Sequence, residues 1–294
     1  MITALSSVLM TSALATSIFW WNTARGGRDI YGELSTPKAR AINAQFNKSV
    51  LELTNQEKDS NILIFGEAMV ESFSATTQTA LSTHYSWQHF FPYNIHEHHW
   101  GIWIFAKSIP TQIIERPLDY LPPNLNSDEQ RAYRARWMEG LIGDPMSKIF
   151  LALHFDNYWI IPVHLLQPWQ QIREKYGTMA TMKAILTGQD HPLFFQLQNL
   201  ISEIETLPLE NERYLVLGDF NFPRTLLGIS TLMYKQLASN FVDINLDRSS
   251  YSFPTKFGQG LMAPMLLDQS FSTHFTQVKV IKLQGSDHFP ILVN

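Results

Sequence analysis

The sequence predicts an α/β (α+β) fold that contains a mixed β-sheet. Short apolar runs typical of buried strands alternate with longer stretches in which apolar residues recur at helical spacing. Two of the strands, Ile149 to Phe155 and Tyr158 to Val163, are separated only by Asp156-Asn157, which is a hairpin signal. Because a hairpin makes its two strands antiparallel, a mixed sheet is favoured over a purely parallel one.

The first half of the chain alternates strands with helices. Apolar runs predict strands at Thr16 to Trp21, Asn61 to Phe65 and Ile102 to Ala106, and helical spacing predicts helices at Ala39 to Leu53 and Glu71 to Ser82. The region Pro110 to Asp144 is the least regular, because prolines mark loops before a helix at Asp128 to Leu141.

The second half continues the alternation. Helices are predicted at Trp169 to Leu186, Pro192 to Leu207 and Thr225 to Ser239, and strands at Arg213 to Leu217, Leu266 to Phe271, Gln277 to Leu283 and Pro290 to Val293. No internal repeat, low-complexity tract or flexible linker interrupts the pattern. We therefore expect one domain over residues 16–294.

The amino-acid composition limits the kinds of reaction and metal site that the protein can have. The chain has 294 residues, of which 45% are hydrophobic and 16% charged, and this balance predicts a compact fold. A net charge of −4 provides no overall positive field for phosphate polymers, which counts against a non-specific nuclease. The absence of cysteine excludes thiolate catalysis, thiolate metal ligands and disulfides. Any metal must have oxygen or imidazole ligands.

The N-terminal segment allows two interpretations. No charged side chain occurs from Met1 to Ala24, which is typical of an export or membrane segment. However, this segment has no basic start and is diluted by serine and threonine. Residues 1–15 are therefore either a trimmed export or membrane segment or a buried N-terminal segment. A cell-envelope or secreted location is slightly favoured over a cytoplasmic one, with membrane association through the N-terminus as a further expectation.

Polar residues lie at the ends of the predicted strands, where α/β folds assemble their sites. The two most informative groups are Gly218-Asp219-Phe220-Asn221 and Gly285-Ser286-Asp287-His288-Phe289-Pro290. The full set comprises Asn22, Glu67, His164, Asp219, Asn221, Asp268, Asp287 and His288. Phosphoester hydrolysis needs a cation, an oriented water and help for the leaving oxygen, and these residue types can supply all three.

Individual side chains suit particular tasks. Glu67 is a hard oxygen ligand of the kind that Mg²⁺ prefers, and Mn²⁺ is an alternative. Asp219 could orient or deprotonate the attacking water, and Asn221 could point the same way without adding charge. His164 and His288 are candidate donors to the phosphate, with Asp287 or Asp268 fixing an imidazole tautomer. The simpler alternatives are a turn or helix N-cap at Asp219 to Asn221, and a surface hairpin at Asp287-His288.

The order of these motifs resembles the endonuclease/exonuclease/phosphatase superfamily, which includes deoxyribonuclease, apurinic endonuclease and sphingomyelinase-type enzymes. The resemblance covers the whole chain: Asn22 and Glu67 end early strands, His164 follows a central strand, then come Gly-Asp-x-Asn, Asp268 and Ser-Asp-His. It implies a four-layer sandwich, in which two mixed β-sheets pack face to face with helices on both outer faces. It also implies a divalent metal, usually Mg²⁺, and hydrolysis of phosphodiesters or phosphomonoesters.

By that resemblance, the metal ligands are Glu67, Asn22 and Asp287. The catalytic residues are Asp219 for the water, Asn221 and His164 at the phosphate, and His288 paired with Asp268. Three departures count against nuclease specificity: Gly66 stands where relatives carry Gln, Ala24 where they carry a polar residue, and Gln269 where they carry His.

The stretch from His84 to Trp100 is rich in histidine and aromatic residues. Neighbouring residues of a strand face opposite sides, so His98 and His99 would not share one ion. A structural or substrate-rim role is therefore favoured over a second metal site or a membrane-facing loop. In a rim, an aromatic side chain such as Trp100 could stack on a base, sugar or lipid.

These observations predict a Mg²⁺-dependent hydrolase that uses direct attack by water. A phosphodiester is the favoured substrate, in DNA or RNA or in a phospholipid or small-molecule headgroup, and no protein partner is predicted. The alternative is a catalytically silent relative that binds a partner.

Overall fold

The computed structural model describes residues 17–28, 32–56, 60–93, 100–138, 148–166, 169–188, 191–209, 212–226, 229–244 and 267–294, without the side chains of 137, 138, 169–176 and 178. The predictions for the N-terminal segment 1–15 and for His98 and His99 concern residues outside these ranges. None of the helices described is both long enough and apolar enough to cross a bilayer.

The described elements alternate as the sequence predicts. The strands are β1 (Ile18–Asn22), β2 (Ile62–Met69), β3 (Trp87–Pro92), β4 (Trp100–Ala106), β5 (Gln112–Pro117), β6 (Ile149–Phe155), β7 (Tyr158–His164), β8 (Arg213–Asp219), β9 (Thr225–Leu226), β10 (Ile229–Ser230), β11 (Asp268–Ser272), β12 (Val278–Val280) and β13 (Ile291–Val293). The α-helices are α1 (Pro37–Gln56), α2 (Ala75–His84), α3 (Ser127–Met138), α4 (Trp169–Thr187), α5 (Pro192–Glu205) and α6 (Leu232–Asn240).

The strands form two large mixed sheets. One has the order β12-β13-β1-β2-β4-β3 and the other the order β11-β8-β7-β6-β5, while β9 and β10 form a separate hairpin. In each large sheet one pair is parallel, β1 with β2 and β7 with β8, and the other pairs are antiparallel. The predicted hairpin at Asp156-Asn157 joins β6 to β7.

Three hydrophobic cores separate four layers. The middle core lies between the sheets and takes alternate residues of each strand, among them Ile18, Trp20, Ile64, Leu215 and Leu217. The intervening residues pack outwards against helices: Phe19 and Trp21 join Phe46 and Val50 of α1, and Val216 joins Leu197 of α5 and Leu237 of α6. The four-layer sandwich with helices on both outer faces is therefore confirmed.

Two predicted helices begin later than expected. The helix expected from Glu71 begins at Ala75, because Ser74 occupies the N-cap and its hydroxyl accepts a hydrogen bond from the Thr77 N–H. The prediction of a helix from Thr225 is wrong for its first residues, because Thr225–Leu226 and Ile229–Ser230 form the β9–β10 hairpin. Thr231 then caps α6 by accepting from the Tyr234 N–H.

Besides β9 and β10, two strands had no counterpart in the sequence prediction. The irregular region after Pro110 contains β5, which pairs with β6 at the edge of its sheet. The aromatic stretch contains β3, which pairs with β4 and exposes Gln88, His89 and Pro92. Both are edge strands with mixed composition, so their hydrophobic periodicity is weak.

Candidate active site

Strand periodicity places the polar site residues at the end of the inter-sheet core. In β1, Asn22 lies two residues beyond Trp20, and in β8, Asp219 lies two residues beyond Leu217. Because alternate residues face the same side of a sheet, Asn22 and Asp219 point into the space between the sheets. Both are buried, with 2% and 1% of their surfaces exposed.

Strand register brings two more residues, Asp268 and His164, level with Asp219 in the second sheet. Asp219 pairs with Asp268 on one side, in the antiparallel β8–β11 ladder, and with His164 on the other, in the parallel β7–β8 ladder. All three are buried. Residues far apart in sequence therefore meet because their strands end together.

Two hydrogen bonds join the sheets at this site. The Asn22 Nδ2 donates to Asp219 Oδ2 at 2.8 Å, and the Trp20 indole Nε1 donates to Asp268 Oδ1 at 2.8 Å. Donors that face a buried carboxylate stabilise its ionised form. Trp20 is thus part of the site, although its apolar strand context made it look like a core residue alone.

A β-bulge turns Glu67 towards the site. The pairing of β2 with β4 shifts between Phe65 and Ala68, and Glu67 has a φ of 46°. Its side chain is 21% exposed, and its Oε1 lies 3.4 Å from His164 Nε2. The structure also explains why the preceding residue is glycine, since a Cβ at position 66 would lie 2.5 Å from the Trp20 ring.

The Gly218 to Asn221 loop is held tightly. A Cβ on Gly218 would lie 1.9 Å from the Val163 carbonyl oxygen, so only glycine fits against β7. Asn221 has a φ of 55°, its N–H donates to Asp219 Oδ1 at 2.8 Å, and its Nδ2 donates to the Leu165 carbonyl at 2.8 Å. The structure thus gives Asn221 a part in fixing Asp219, while its contact with phosphate stays a prediction.

His288 pairs with Asp268, as the resemblance implies. The His288 Nδ1 lies 2.7 Å from Asp268 Oδ2, and its Nε2 lies 3.7 Å from Asp219 Oδ2. Burial alone would lower the pKa of His288, but Asp268 and Asp219 outweigh it and raise this pKa to about 10. Ser286 positions the loop, because its hydroxyl donates to the Asn22 carbonyl at 2.7 Å and accepts from the His288 N–H.

Asp219 is the carboxylate on which these contacts converge. Burial raises its pKa to about 7, the charges of Asp268 and Glu67 also raise it, and the His288 cation opposes them. A carboxyl group with a pKa near neutrality can accept a proton and release it again. This suits the role in water activation that the sequence predicts for Asp219.

His164 lies within a group that includes Tyr93, from the aromatic stretch His84 to Trp100, and Lys148, a residue not recognised in the sequence. The Tyr93 hydroxyl is 2.7 Å from His164 Nδ1, and the Lys148 Nζ is 3.0 Å from Nδ1 and 3.2 Å from Nε2. Burial and the Lys148 charge hold the pKa of His164 well below its usual value, so the imidazole is neutral. The one sequence signal for Lys148 is its position directly before the apolar β6.

The two remaining predicted residues lie at the border of this cluster. Trp100 is half-buried, with its ring centroid 5.6 Å from that of Tyr93 and 5.5 Å from the Lys148 Nζ. Asp287 is exposed, and its Oδ1 lies 3.4 Å from the Ser286 hydroxyl oxygen. The structure thus places Trp100 beside the predicted phosphate contacts, whereas Asp287 interacts with one of them through its charge, which helps to raise the pKa of His288.

A divalent cation could bind at either of two places, at the Asp219, Asp268 and His288 group or around Glu67. Ligand atoms of Asp219, Asp268 and His288 lie within 4.8 Å of one another. However, both oxygens of Asp268 already accept hydrogen bonds, and a protonated His288 has no lone pair for a metal. The partly exposed Glu67 carboxylate is better suited to a hydrated Mg²⁺, so we favour the predicted site around Glu67.

Comparison with known proteins supports the fold. No family model and no curated protein matches the sequence. The structure is similar to that of a mannosyl-6-phosphatase from Bacteroides thetaiotaomicron, at a TM-score of 0.59 and 15% identity over 95% of this chain and 99% of that one. It is also similar to an endonuclease/exonuclease/phosphatase from Beutenbergia cavernae, at a TM-score of 0.59 and 12% identity over 95% and 70% of the two chains.

A third solved structure agrees with the first two. A protein of the endonuclease/exonuclease/phosphatase family from Leptotrichia buccalis has a TM-score of 0.55 and 13% identity over 95% of this chain and 99% of that one. At these identities the similarity concerns the fold. The chain therefore has the endonuclease/exonuclease/phosphatase fold that the order of its motifs predicts.

Proposed function

We propose that the protein is a Mg²⁺-dependent phosphoester hydrolase that uses direct attack by water. The observation that carries the proposal is the position of Asp219, which contacts Asn22 from the other sheet and lies between His164 and His288. A buried carboxylate with a pKa near 7 and two imidazoles beside it suits proton transfer to and from a water at a phosphoryl group.

The proposed roles follow from charge and position. Asp219 orients the attacking water and takes its proton as the new P–O bond forms and the P–O bond to the leaving oxygen breaks. The leaving oxygen takes up a proton from solvent, and Asp219 then releases its own. The His288 imidazolium, fixed by Asp268, donates a hydrogen bond to a phosphoryl oxygen as negative charge develops there. The neutral His164 donates to a second phosphoryl oxygen. Glu67, with Asn22 and Asp287 as the other predicted ligands, would hold Mg²⁺, which when bound neutralises phosphoryl charge.

The substrate class is a choice between diesters and monoesters. A phosphodiester is favoured by the resemblance, in nucleic acid or in a lipid or small-molecule headgroup. The name of the Bacteroides mannosyl-6-phosphatase points instead to a monoester in that protein. The net charge of −4 counts against a nucleic-acid polymer. A panel should therefore contain a plasmid, a phospholipid, a chromogenic diester and a sugar phosphate.

The test compares two carboxylate substitutions under the same conditions. With Mg²⁺ present, Asp219→Asn should lower kcat by about 10²- to 10⁴-fold, because the amide cannot accept the proton of the water. Asp128→Asn is the matched control, since the Asp128 side chain on α3 is 89% exposed. Circular dichroism should show that both variants are folded.

Two results would contradict the proposal. One is a folded wild-type protein that hydrolyses no member of the panel with Mg²⁺ or Mn²⁺, in which case the silent binding protein becomes the better interpretation. The other is an Asp219→Asn variant as active as Asp128→Asn.

A further inference from the structure

Lys148 is a buried cation to which the proposed reaction assigns no role. It directly precedes β6, its carbonyl accepts a hydrogen bond from the Leu118 N–H, and only 7% of its surface is exposed. Its ammonium group contacts the His164 ring and lies 4.6 Å from the Tyr93 ring centroid. Removing an ammonium group from water is unfavourable unless an anion compensates it.

The protein itself provides little of that compensation. Within the described part of the chain, no carboxylate oxygen lies within 4.0 Å of the Lys148 Nζ. Burial lowers the pKa of Lys148 to about 8, while the more distant Glu67 and Asp219 oppose this shift. At neutral pH the side chain therefore remains mostly charged, and its nearest contacts are neutral rings.

Arg25 brings a second cation to the same place. It follows Asn22 in a tight turn, with a φ of 61°, and its guanidinium carbon lies 5.5 Å from the Trp100 ring centroid. Lys148 lies at the same distance from that ring. The buried Nε of Arg25 and the buried Nε1 of Trp100 have no hydrogen-bond partner among the residues described.

We infer that Lys148 and Arg25, placed around Trp100, form an anion subsite that binds phosphoryl oxygens of the substrate. The subsite adjoins the reacting centre, because the Lys148 ammonium contacts both ring nitrogens of His164, and the Nε2 of that ring also approaches Glu67 and Asp219. A phosphoryl group next to Asp219 can thus extend oxygens towards the ammonium, and the indole and guanidinium donors are available at its outer edge. The inference deepens the proposed function and rests on it.

The test measures binding of inorganic phosphate by calorimetry, with metal removed by a chelator. The wild-type protein should bind phosphate, and Lys148→Met should bind it about tenfold or more weakly, because a charge-assisted hydrogen bond is lost. Lys235→Met is the matched control, since Lys235 is exposed on α6, and it should bind like the wild type. Arg25→Gln should weaken binding less and gives a second test at a half-buried position.

Thermal unfolding separates this role from a structural one. If Lys148 serves the ligand, Lys148→Met without phosphate should melt no lower than the wild type, since methionine fills similar space without a buried charge. Phosphate should then raise the Tm of the wild type and Lys235→Met, but not that of Lys148→Met. A lower Tm for the ligand-free Lys148→Met together with unchanged phosphate affinity would overturn the inference.

The outcomes also separate this inference from the proposed function. If the wild type hydrolyses a substrate but Lys148→Met and Arg25→Gln bind phosphate as the wild type does, the subsite is wrong and the hydrolase stands. If no substrate is hydrolysed but phosphate binding depends on Lys148, the subsite stands and the hydrolase fails. Absence of phosphate binding in the wild type overturns the subsite.

Discussion

Trp20 determines which residue can precede the predicted metal ligand. Its indole ring lies over Gly66 and at the same time donates to Asp268, so one side chain fills the space beside β2 and fixes the partner of His288. The resemblance leads one to expect Gln at position 66, and the departure has this steric cause. The Trp20 side chain on the neighbouring strand therefore fills the space that a side chain at position 66 would occupy.

We expect Gly66→Ala to destabilise the fold and to lower activity. The added Cβ would lie 2.5 Å from the Trp20 ring, and such overpacking costs about 1–3 kcal/mol of unfolding free energy. Because Trp20 must move, its hydrogen bond to Asp268 should weaken as well. Urea unfolding and steady-state kinetics measure the two effects.

A double-mutant cycle with Trp20→Phe provides the control for Gly66→Ala. The smaller ring makes room for the Cβ, so Gly66→Ala should cost less in the Trp20→Phe background than alone. Equal costs in both backgrounds would show that the Trp20 ring is not what excludes a side chain at position 66.

At the scale of elements, the sequence is most informative where a strand is buried on both faces. Such strands are continuous apolar runs, so a polar residue at their ends is conspicuous, as with Asn22 at the end of β1 and Asp219 at the end of β8. Lys148 is not conspicuous, because a lysine outside a strand is typical of a solvated loop. Its burial depends on Tyr93 and Trp100, which come from distant elements.

Local turn chemistry explains the element boundaries that the periodicity placed wrongly. Thr225 to Ser239 has enough apolar residues for a helix, but the helix begins only after Thr231, whose side chain caps it. The Thr231 hydroxyl also donates to the Pro223 carbonyl, so the cap ties α6 to the loop that follows Asn221. Hydrophobic spacing does not contain this information.

Helix α5 begins at a buried histidine, and this predicts a stability that depends on pH. His191 caps the helix by accepting a hydrogen bond from the Leu193 N–H at its Nδ1, and burial lowers the pKa of His191 to about 3. Between pH 6.5 and 3 the unfolded state therefore binds one more proton than the folded state. The contribution of His191 is complete above pH 6.5 and decreases as the pH falls.

The expected loss is about 1.4 kcal/mol of unfolding free energy per pH unit below 6. In His191→Asn, a side chain that can still cap the helix, the decrease between pH 6 and pH 4.5 should be smaller than in the wild type. Urea unfolding at several pH values measures it. If the unfolding free energies of the two proteins decreased equally with falling pH, the conclusion that His191 is buried in its neutral form would be contradicted.

At the scale of the whole molecule, the site is the place where hydrogen bonds to buried carboxylates, instead of apolar packing, connect the two sheets. Asn22 and Trp20 of one sheet donate to Asp219 and Asp268 of the other, while the inter-sheet core ends beneath them. Several carboxylates gathered at one end of a sandwich repel one another. A cation bound there should stabilise the association of the sheets, so stability should respond to the metal.

We expect Mg²⁺ to raise the Tm of the wild type, because binding to the folded state alone adds about 2.7 kcal/mol when the ion is at 100 times its Kd. Glu67→Gln should abolish this shift, and Glu71→Gln, an exposed neighbour, should retain it. Thermal melts with MgCl₂ and with chelator measure the effect. A shift that persists in Glu67→Gln but disappears in Asp268→Asn would place the ion at Asp219, Asp268 and His288 instead. The same melts therefore locate the metal without any knowledge of the substrate, since the change in Tm depends only on which carboxylates bind the ion and repel one another less when it is bound.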